Sequence, residues 1–489
     1  MNVWRLIVAV LAGVLGWASD ACTEDDLLAG WRGTAGVRVG LIWSDNLTLT
    51  RTGGESGGVI RLLPYISTAR DGNRLRLSFN YGPSILYYPT LSDRTRVNHV
   101  LGANASAELV ERYLFLDVRA RANQALINPS ARAGFDSIAN NGAYTQTASI
   151  TVTPRLVVPV LGGRFATIEV QPGAGNVWTA STAGDNGRSS TPTTNTRISV
   201  VSGPMFTRVP WSLNWRRRQW DADTGDGTGV FTASVGYILS SRYRVTGIVG
   251  YEDSSYTARN NRSRGTRWEF RFDWTPKPTT AVKLGYGQTF YGDFGDVAIS
   301  HRHKYWAFST TYRVSIETAF TSIEEQEVVP LEDAFGNPIL DPINGDVIRA
   351  SVTTPVLIEE SFLRRRWRTT LAYSRGRTNV TGQWIVTDRE YSQSDRDTSD
   401  NQWRLNLRRS LSGRLSANAQ FIYWDHSQSQ SANSLNTDYI QHAVTVGLSY
   451  RLGERTTLSA RVAHEARNAE DRFGDFSENR ASLDLSFRL

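Results

Sequence analysis

The sequence predicts an all-β fold: a transmembrane, antiparallel, up-and-down barrel of about 22 strands, within roughly 18 to 22, preceded by a cleaved signal peptide. Three observations predict it. Apolar and polar residues alternate with a two-residue period from Thr34 to the chain end, which puts one side of each extended segment against a greasy phase and the other against water. Short turns alternate with long polar loops. The chain also begins like an exported protein and then offers no apolar run long enough for a membrane-spanning helix.

The N-terminus is a short basic stretch, Met1 to Arg5, followed by an apolar run from Leu6 to Ala18. A hydrophobic core of this length suits a secretory signal better than a spanning helix of about 20 residues. Residues 1–21 are therefore expected to be the signal peptide, 22–33 a short periplasmic segment and 34–489 a single barrel. Cys22 is the only cysteine, so no internal disulfide supports the exported chain. It could also be a lipidation site, although Ser19-Asp20-Ala21 lacks the leucine usual before a lipidated cysteine.

Strand assignments follow the dyad. Val37, Val39, Leu41 and Trp43 share a face, as do Leu75, Leu77, Phe79 and Tyr81, and Leu114, Leu116, Val118 and Ala120. The pattern repeats at Trp268, Phe270, Phe272 and Trp274, at Trp403, Leu405 and Leu407, and at Leu483, Leu485, Phe487 and Leu489. The lipid-facing set is thus predicted to include Trp268, Phe270, Phe272, Trp274, Leu405, Leu483, Leu485 and Phe487. Short turns at 70–73, 240–242, 275–278, 410–413 and 452–454 belong on the periplasmic side, and loops such as 221–229, 393–400, 427–437 and 468–478 outside. Counting strand directions from both ends makes 301–313 and 359–373 both run inward. An outward strand from Ile316 to Glu327, after a turn at Val314-Ser315, resolves the conflict. The remaining irregular stretch, 328–358, is then extracellular, either folded into the lumen or decorating the mouth.

The alternate positions, which would line the lumen, are dominated by arginine: Arg38, Arg74, Arg76, Arg119, Arg121, Arg216, Arg218, Arg267, Arg271, Arg364, Arg366, Arg368, Arg404 and Arg408. Guanidinium groups favour planar, two-pronged contact with carboxylate or phosphate. The pattern therefore predicts a passage for anionic or hydroxyl-rich solutes, or cross-strand ladders in which Asp, Glu, Gln and Asn brace the wall. Aromatic residues near strand ends, among them Tyr87, Tyr88, Trp178, Trp211, Trp220, Tyr305, Trp306, Tyr391 and Trp424, suit interfacial girdles. Trp220 falls on the inner face, where it could stack on a sugar ring.

No catalytic constellation emerges, so the chain is not expected to be an enzyme and no cofactor is implied. His301 and His303 share a face but lack a third metal ligand. His464-Glu465 at an outer strand end has no identifiable Ser or Asp partner. Gly53-Gly54 and Gly57-Gly58 have no helix to present a phosphate site. A net charge of +7 is too modest to imply nucleic-acid binding.

Gly40-Leu41-Ile42-Trp43-Ser44-Asp45-Asn46, the Pro64-Tyr65-Ile66 strand, and Arg365 to Arg377 followed by Asn379 to Trp384 resemble the outer-membrane barrels associated with exosortase (PEP-CTERM) exopolysaccharide systems of Gram-negative bacteria. The resemblance brings no catalytic or ligand residues. It implies an outer-membrane location, contact with lipid and lipopolysaccharide, insertion by the barrel assembly machinery, and a part in exporting polysaccharide with periplasmic export components. The open alternatives are an anion-preferring diffusion or uptake porin and a non-conducting structural barrel. Leu489 departs from the aromatic residue on which such chains usually end.

Overall fold

A computed structural model describes residues 30–90, 95–126, 132–135, 138–139, 143–180, 189–220, 226–318, 328–330, 349–351, 361–391, 397–429, 438–469 and 474–489. Its core is a closed antiparallel barrel of 22 strands. The first six are β1 (Trp31–Ser44), β2 (Gly57–Asp71), β3 (Leu75–Tyr81, resuming at Ser84–Tyr87), β4 (Arg96–Asn98, resuming at Leu101–Val110), β5 (Leu114–Leu126) and β6 (Tyr144–Val160). Next come β7 (Ala166–Thr179), β8 (Ser189–Ser202), β9 (Trp211–Gln219), β10 (Gly227–Ser240), β11 (Tyr243–Ser254), β12 (Arg264–Lys277), β13 (Thr280–Thr289) and β14 (Gly292–Arg302). The circuit finishes with β15 (Trp306–Glu317), β16 (Phe362–Arg375), β17 (Thr378–Tyr391), β18 (Thr398–Ser410), β19 (Leu415–Gln428), β20 (Tyr439–Arg451), β21 (Thr456–Ala469) and β22 (Phe476–Arg488).

Closure occurs where the chain's ends meet. β1 pairs with β22 from Gly36↔Arg488 to Ser44↔Arg480. The Ser44-Asp45-Asn46 motif then clamps the extracellular end of this seam. The Asn479 amide and side-chain Nδ2 both donate to Asp45 at 2.7 Å, the Ser44 hydroxyl donates to Glu478 at 2.6 Å, and Asn46 Nδ2 donates to the Ser477 carbonyl at 2.9 Å. At the other end the Leu489 amide donates to the Ala35 carbonyl at 2.8 Å. Gly40 has a reason in the same seam: a side chain there would collide with the Asp484 carboxylate.

β3 breaks for a local reason. Extending the register Ile66↔Tyr81 and Leu62↔Ile85 brings Pro64 opposite Pro83. Neither residue has an N–H to give, so the ladder lapses there and resumes unshifted.

Register separates the two surfaces of the wall. Trp268 lies opposite Val249, Phe270 opposite Tyr286, and Leu483 opposite Leu41, and there this face is open to the surroundings: Trp268 is 44% exposed, Phe270 54% and Leu405 47%. On β3 to β5 the same parity is covered, with Leu75, Leu77, Val118 and Ala120 buried. Phe272, Trp274, Leu485 and Phe487 share it by parity. An apolar outer face on a closed barrel satisfies every strand edge while leaving only side chains in contact with lipid. Aromatic groups gather at the turn end. Phe165, Phe206 and Trp211 meet edge to face, Tyr243 stacks on Trp274, and Trp306 packs against His301 and His303.

Three boundaries differ from the sequence reading. β1 opens at Trp31, so residues 31–33 belong to the wall; residues 1–29, with the expected signal peptide and Cys22, lie outside the described residues. The chain turns at 303–305 rather than at Val314-Ser315, and β15 runs outward without a break to Glu317. The dyad is continuous there, with Tyr312, Val314 and Ile316 on the outer face and Arg313, Ser315 and Glu317 on the inner, and the Ser315 hydroxyl donates along the strand to Glu317 instead of capping a turn. The strand expected at 316–327 thus falls mostly on residues outside the described set. Within the expected 328–358 loop, 328–330 pairs with 349–351 as a short hairpin; the rest lies outside the described residues.

Replacing Phe270 with Arg puts a charge on the lipid face. Equilibrium unfolding from phospholipid vesicles should show a loss of about 2–4 kcal/mol, whereas Arg in place of Ser78 on the inner face should cost far less.

Candidate functional site

The register places Arg38, Arg76, Arg119, Arg121, Arg216, Arg218, Arg267, Arg271, Arg364, Arg366, Arg368, Arg404 and Arg408 on the face opposite the exposed hydrophobes. Arg74 is the exception: it sits in the exposed 72–74 turn, because Leu75 resumes the ladder one residue later than its spacing suggests.

Part of the inner-face arginine set forms bracing ladders. Arg267 pairs with Glu252 and with Glu269 at 2.9 Å, and Arg271 reaches Glu269 at 2.6 Å. Arg61 and Arg461 converge on the buried Asp484, and Arg155 lies between Asp117 and Glu169. Asp117, Glu269 and Asp273 read from the sequence as partners, and of these Asp117 and Glu269 take arginines, with no ion pair of Asp273 among the described residues. Glu252, Glu317, Asp400 and Asp484 were not singled out as partners, although each alternates with the outward-facing residues of its strand.

On β15 to β18 the balance changes. The inner face carries Arg313, Arg364, Arg366, Arg368, Arg389, Arg404 and Arg408, against two carboxylates among the described residues, Glu317 and Asp400. Both carboxylates are engaged. Glu317 pairs with Arg364 and accepts from Ser315 at 2.9 Å. Asp400 pairs with Arg389 and accepts from Trp424 Nε1 at 2.8 Å, with His426 Nδ1 at 2.7 Å. This arginine wall is the strongest concentration of one charge sign on the described inner surface.

The second feature is a loop that turns inward. Residues between β5 and β6 leave the rim and settle against inner-face side chains of β19 to β22. The Phe135 amide donates to Glu465 at 2.9 Å, Gln441 Nε2 donates to the Ala133 carbonyl at 2.8 Å and to Glu465 at 2.7 Å, and Arg480 holds the other Glu465 oxygen at 3.2 Å. Phe135 leans on Trp424 with ring centres 6.3 Å apart. Tyr88 and Arg96 donate to the Ile138 and Ala139 carbonyls at 2.6 and 3.0 Å. Ile138 joins Ile42, Leu47, Val59, Leu86 and Tyr88 in a dry cluster, and Ala139 packs with Leu49 and Phe476. The extracellular mouth is therefore narrowed from within by residues 132–135 and 138–139 together with the 45–56 loop.

The sequence reading assigned an inward loop, if any, to 328–358 and overlooked this one. A signal was present. Segment 127–143 carries only Arg132 and Asp136 as charged residues and is otherwise small or apolar, unlike the charged loop at 392–397.

Other candidates resolve into structure. His301 meets the Thr280 hydroxyl at 2.7 Å and packs on Trp306; no cluster of potential metal ligands occurs among the described residues. Glu465 belongs to the loop anchor, while His464 turns to the outer face beside Asn479. Trp220 is on the inner side and buried, which leaves its ring no open face for a sugar. Gly54 packs tightly on Asn46, a turn role. A strap, residues 255–263, covers the short β13–β14 hairpin. Tyr256 is buried with Phe290 and Leu363, and Arg259 pairs with Glu390 and Asp397.

No protein-family model matches this chain, and no curated protein does. Solved structures do. The FrpB iron transporter of Neisseria meningitidis (F5-1 variant) aligns over 95% of this chain and 84% of its own with a TM-score of 0.51 at 9% identity. Its apoprotein form aligns over 93% and 81%, also at 0.51 and 9%. The siderophore receptor PirA of Pseudomonas aeruginosa aligns over 93% and 80% at 13% identity, with a TM-score of 0.43. At such identities the likeness is one of fold. The chain is an outer-membrane β-barrel.

Two outcomes follow from this geometry. Glu465→Gln weakens the anchor of the inward loop and leaves Arg480 undercompensated, so limited trypsin digestion of the vesicle-inserted protein should cut after Arg132 at least roughly tenfold faster than in the wild type, given that losing one partner of a buried pair costs several kcal/mol. For the strap, burial and then the adjacent Glu390 carboxylate push the Tyr256 phenol far above its ordinary value. A raised folded value means the docked strap is fully stable below the unfolded phenol's value of about 10 and is lost as pH climbs beyond it. Absorbance at 295 nm should show a late-titrating phase that Tyr256→Phe reduces by one tyrosine equivalent without abolishing it, since burial also raises the Tyr291 phenol.

Proposed function

We propose that this barrel is a conduit across the outer membrane for anionic, hydroxyl-rich solutes, with an acidic polysaccharide leaving the cell as its preferred cargo and periplasmic export components as its partners. The observation that carries the reading is the arginine wall: seven guanidinium groups against two carboxylates on the inner face of β15 to β18. A water-filled lumen with such a wall concentrates anions and repels cations, and its low-dielectric rim strengthens the effect. Planar guanidinium groups also match the carboxylates of acidic sugars better than point charges would. The resemblance to exosortase-associated barrels at Gly40–Asn46, Pro64–Ile66, Arg365–Arg377 and Asn379–Trp384 supports the same cargo. The iron transport named for FrpB does not transfer, because a shared fold does not carry a shared site.

One observation favours a second reading. The anchored segment 132–139 occupies the mouth, so the resting barrel could be shut and serve structurally. Planar-bilayer recording separates the readings. The conduit predicts open channels that prefer chloride over potassium in a salt gradient, with the preference reduced several-fold by the triple change Arg364→Gln, Arg366→Gln and Arg368→Gln. A cation-preferring channel would overturn the proposal, and a barrel silent even after Glu465→Gln would establish the structural reading.

A further inference from the structure

Arg366 differs from its neighbours in the wall. Arg364 has Glu317 and Arg389 has Asp400. Arg366 is half-buried, and its Nε and Nη2 are buried with no hydrogen-bond partner among the described residues. Across the strands it faces Arg313 on one side and Thr387 on the other, and Arg364 and Arg368 flank it on its own strand. Arg313 is exposed and lies 3.8 Å from its nearest carboxylate, Asp296. A guanidinium surrounded by others, with buried donors unspent, is costly unless an anion completes the arrangement.

The unspent atoms identify the anion's shape. Nε and Nη2 form one straight edge of the guanidinium, and two parallel N–H groups on that edge grip a carboxylate. The same edge is used elsewhere in this wall: Arg271 meets Glu269 with Nε at 3.1 Å and Nη2 at 2.6 Å. At Arg366 the edge is present and no described residue supplies the carboxylate. Thr370 and Gln383 lie further along the same inner face, with Gln383 Nε2 donating to the Thr370 hydroxyl at 3.5 Å, while Thr387 is buried opposite Arg366.

We infer that Arg366, with Arg364, Arg368 and Arg313 around it, is a binding site for the carboxylate of an acidic sugar residue. The inference rests on the conduit reading and names the group that the lumen selects. A carboxylate arriving at Arg366 takes up the idle edge and relieves the repulsion among four cations. A phosphate or sulfate could use the same edge, and a free inorganic oxyanion is the source against which the sugar must be tested.

Titration calorimetry on the full-length barrel in detergent micelles, with trigalacturonate as the probe, decides the matter. Wild type should bind saturably. Arg366→Gln and Arg366→Lys should both weaken binding at least tenfold, because neither offers the two-pronged edge, while Arg76→Gln in the β3 wall should leave it unchanged. Without ligand, Arg366→Gln should raise the unfolding temperature, since it removes an uncompensated cation; a structural role predicts the reverse. Unchanged trigalacturonate binding in both Arg366 variants would overturn the site. Inorganic phosphate competing as strongly as trigalacturonate would overturn the sugar assignment. Failure of the site is distinguishable from failure of the conduit: a conducting barrel without saturable binding sinks the former, and a silent barrel that binds trigalacturonate sinks the latter.

Discussion

In lipid, no backbone N–H or C=O can be left over, and that constraint organises this molecule. A sheet of 22 strands meets it only by joining its first strand to its last. The pairing of β1 with β22 is therefore the contact on which the rest depends. Its ends are fastened by hydrogen bonds: the side chains of Ser44, Asp45 and Asn46 at the mouth, and the Leu489 backbone amide at the turn end. The seam motif is also where the sequence looked most distinctive. Its distinctiveness is explained by geometry, since each of the three residues satisfies a group on β22 or in the adjoining loop.

Closure divides every strand into a lipid side and a lumen side, and the lumen side must then solve an electrostatic problem. Arginines pointing into a shared interior repel unless carboxylates are interleaved. Over β11 and β12, and again over β21, β22, β1 and β2, the solution is local: Glu252, Glu269, Glu465, Glu478 and Asp484 each sit within reach of arginine. Such pairs tie neighbouring strands without advertising charge to the lumen. Over β15 to β18 the interleaving thins: these strands themselves carry seven inner-face arginines against Glu317 and Asp400. The contrast between these two stretches of one wall separates bracing from function more clearly than the arginine count does.

Much of this was legible in the sequence because a strand's two-residue period is rigid. Trp268, Phe270 and Leu405 could not face lipid without sending Arg267, Arg271 and Arg404 inward, and an even number of strands followed from the directions of the turns. What was not legible depends on contacts between strands distant in sequence. Glu317 and Asp400 lie on the same inner-face pattern as the arginines, yet nothing local says that Glu317 takes Arg364 or that Asp400 takes Arg389, so the idle edge of Arg366 was invisible. The inward loop was missed for a related reason. Its anchors, Gln441 and Glu465, lie some three hundred residues downstream, and only closure of the barrel brings them near Ala133 and Phe135. The misplaced turn at Val314-Ser315 has another origin: the 303–305 turn carries no Gly, Pro, Asn or Asp to announce it.

The arginine wall and the inward loop are neighbours through one carboxylate. Asp400 compensates Arg389 at the upper edge of the wall while also accepting from Trp424 and meeting His426. Trp424 is the ring on which Phe135 rests, and His426 stacks on Tyr439 with ring centres 4.9 Å apart. The described contacts thus run from Arg389 through Asp400 and Trp424 to Phe135 in the loop that turns inward, so the edge of the charged wall and the anchor of that loop share one carboxylate.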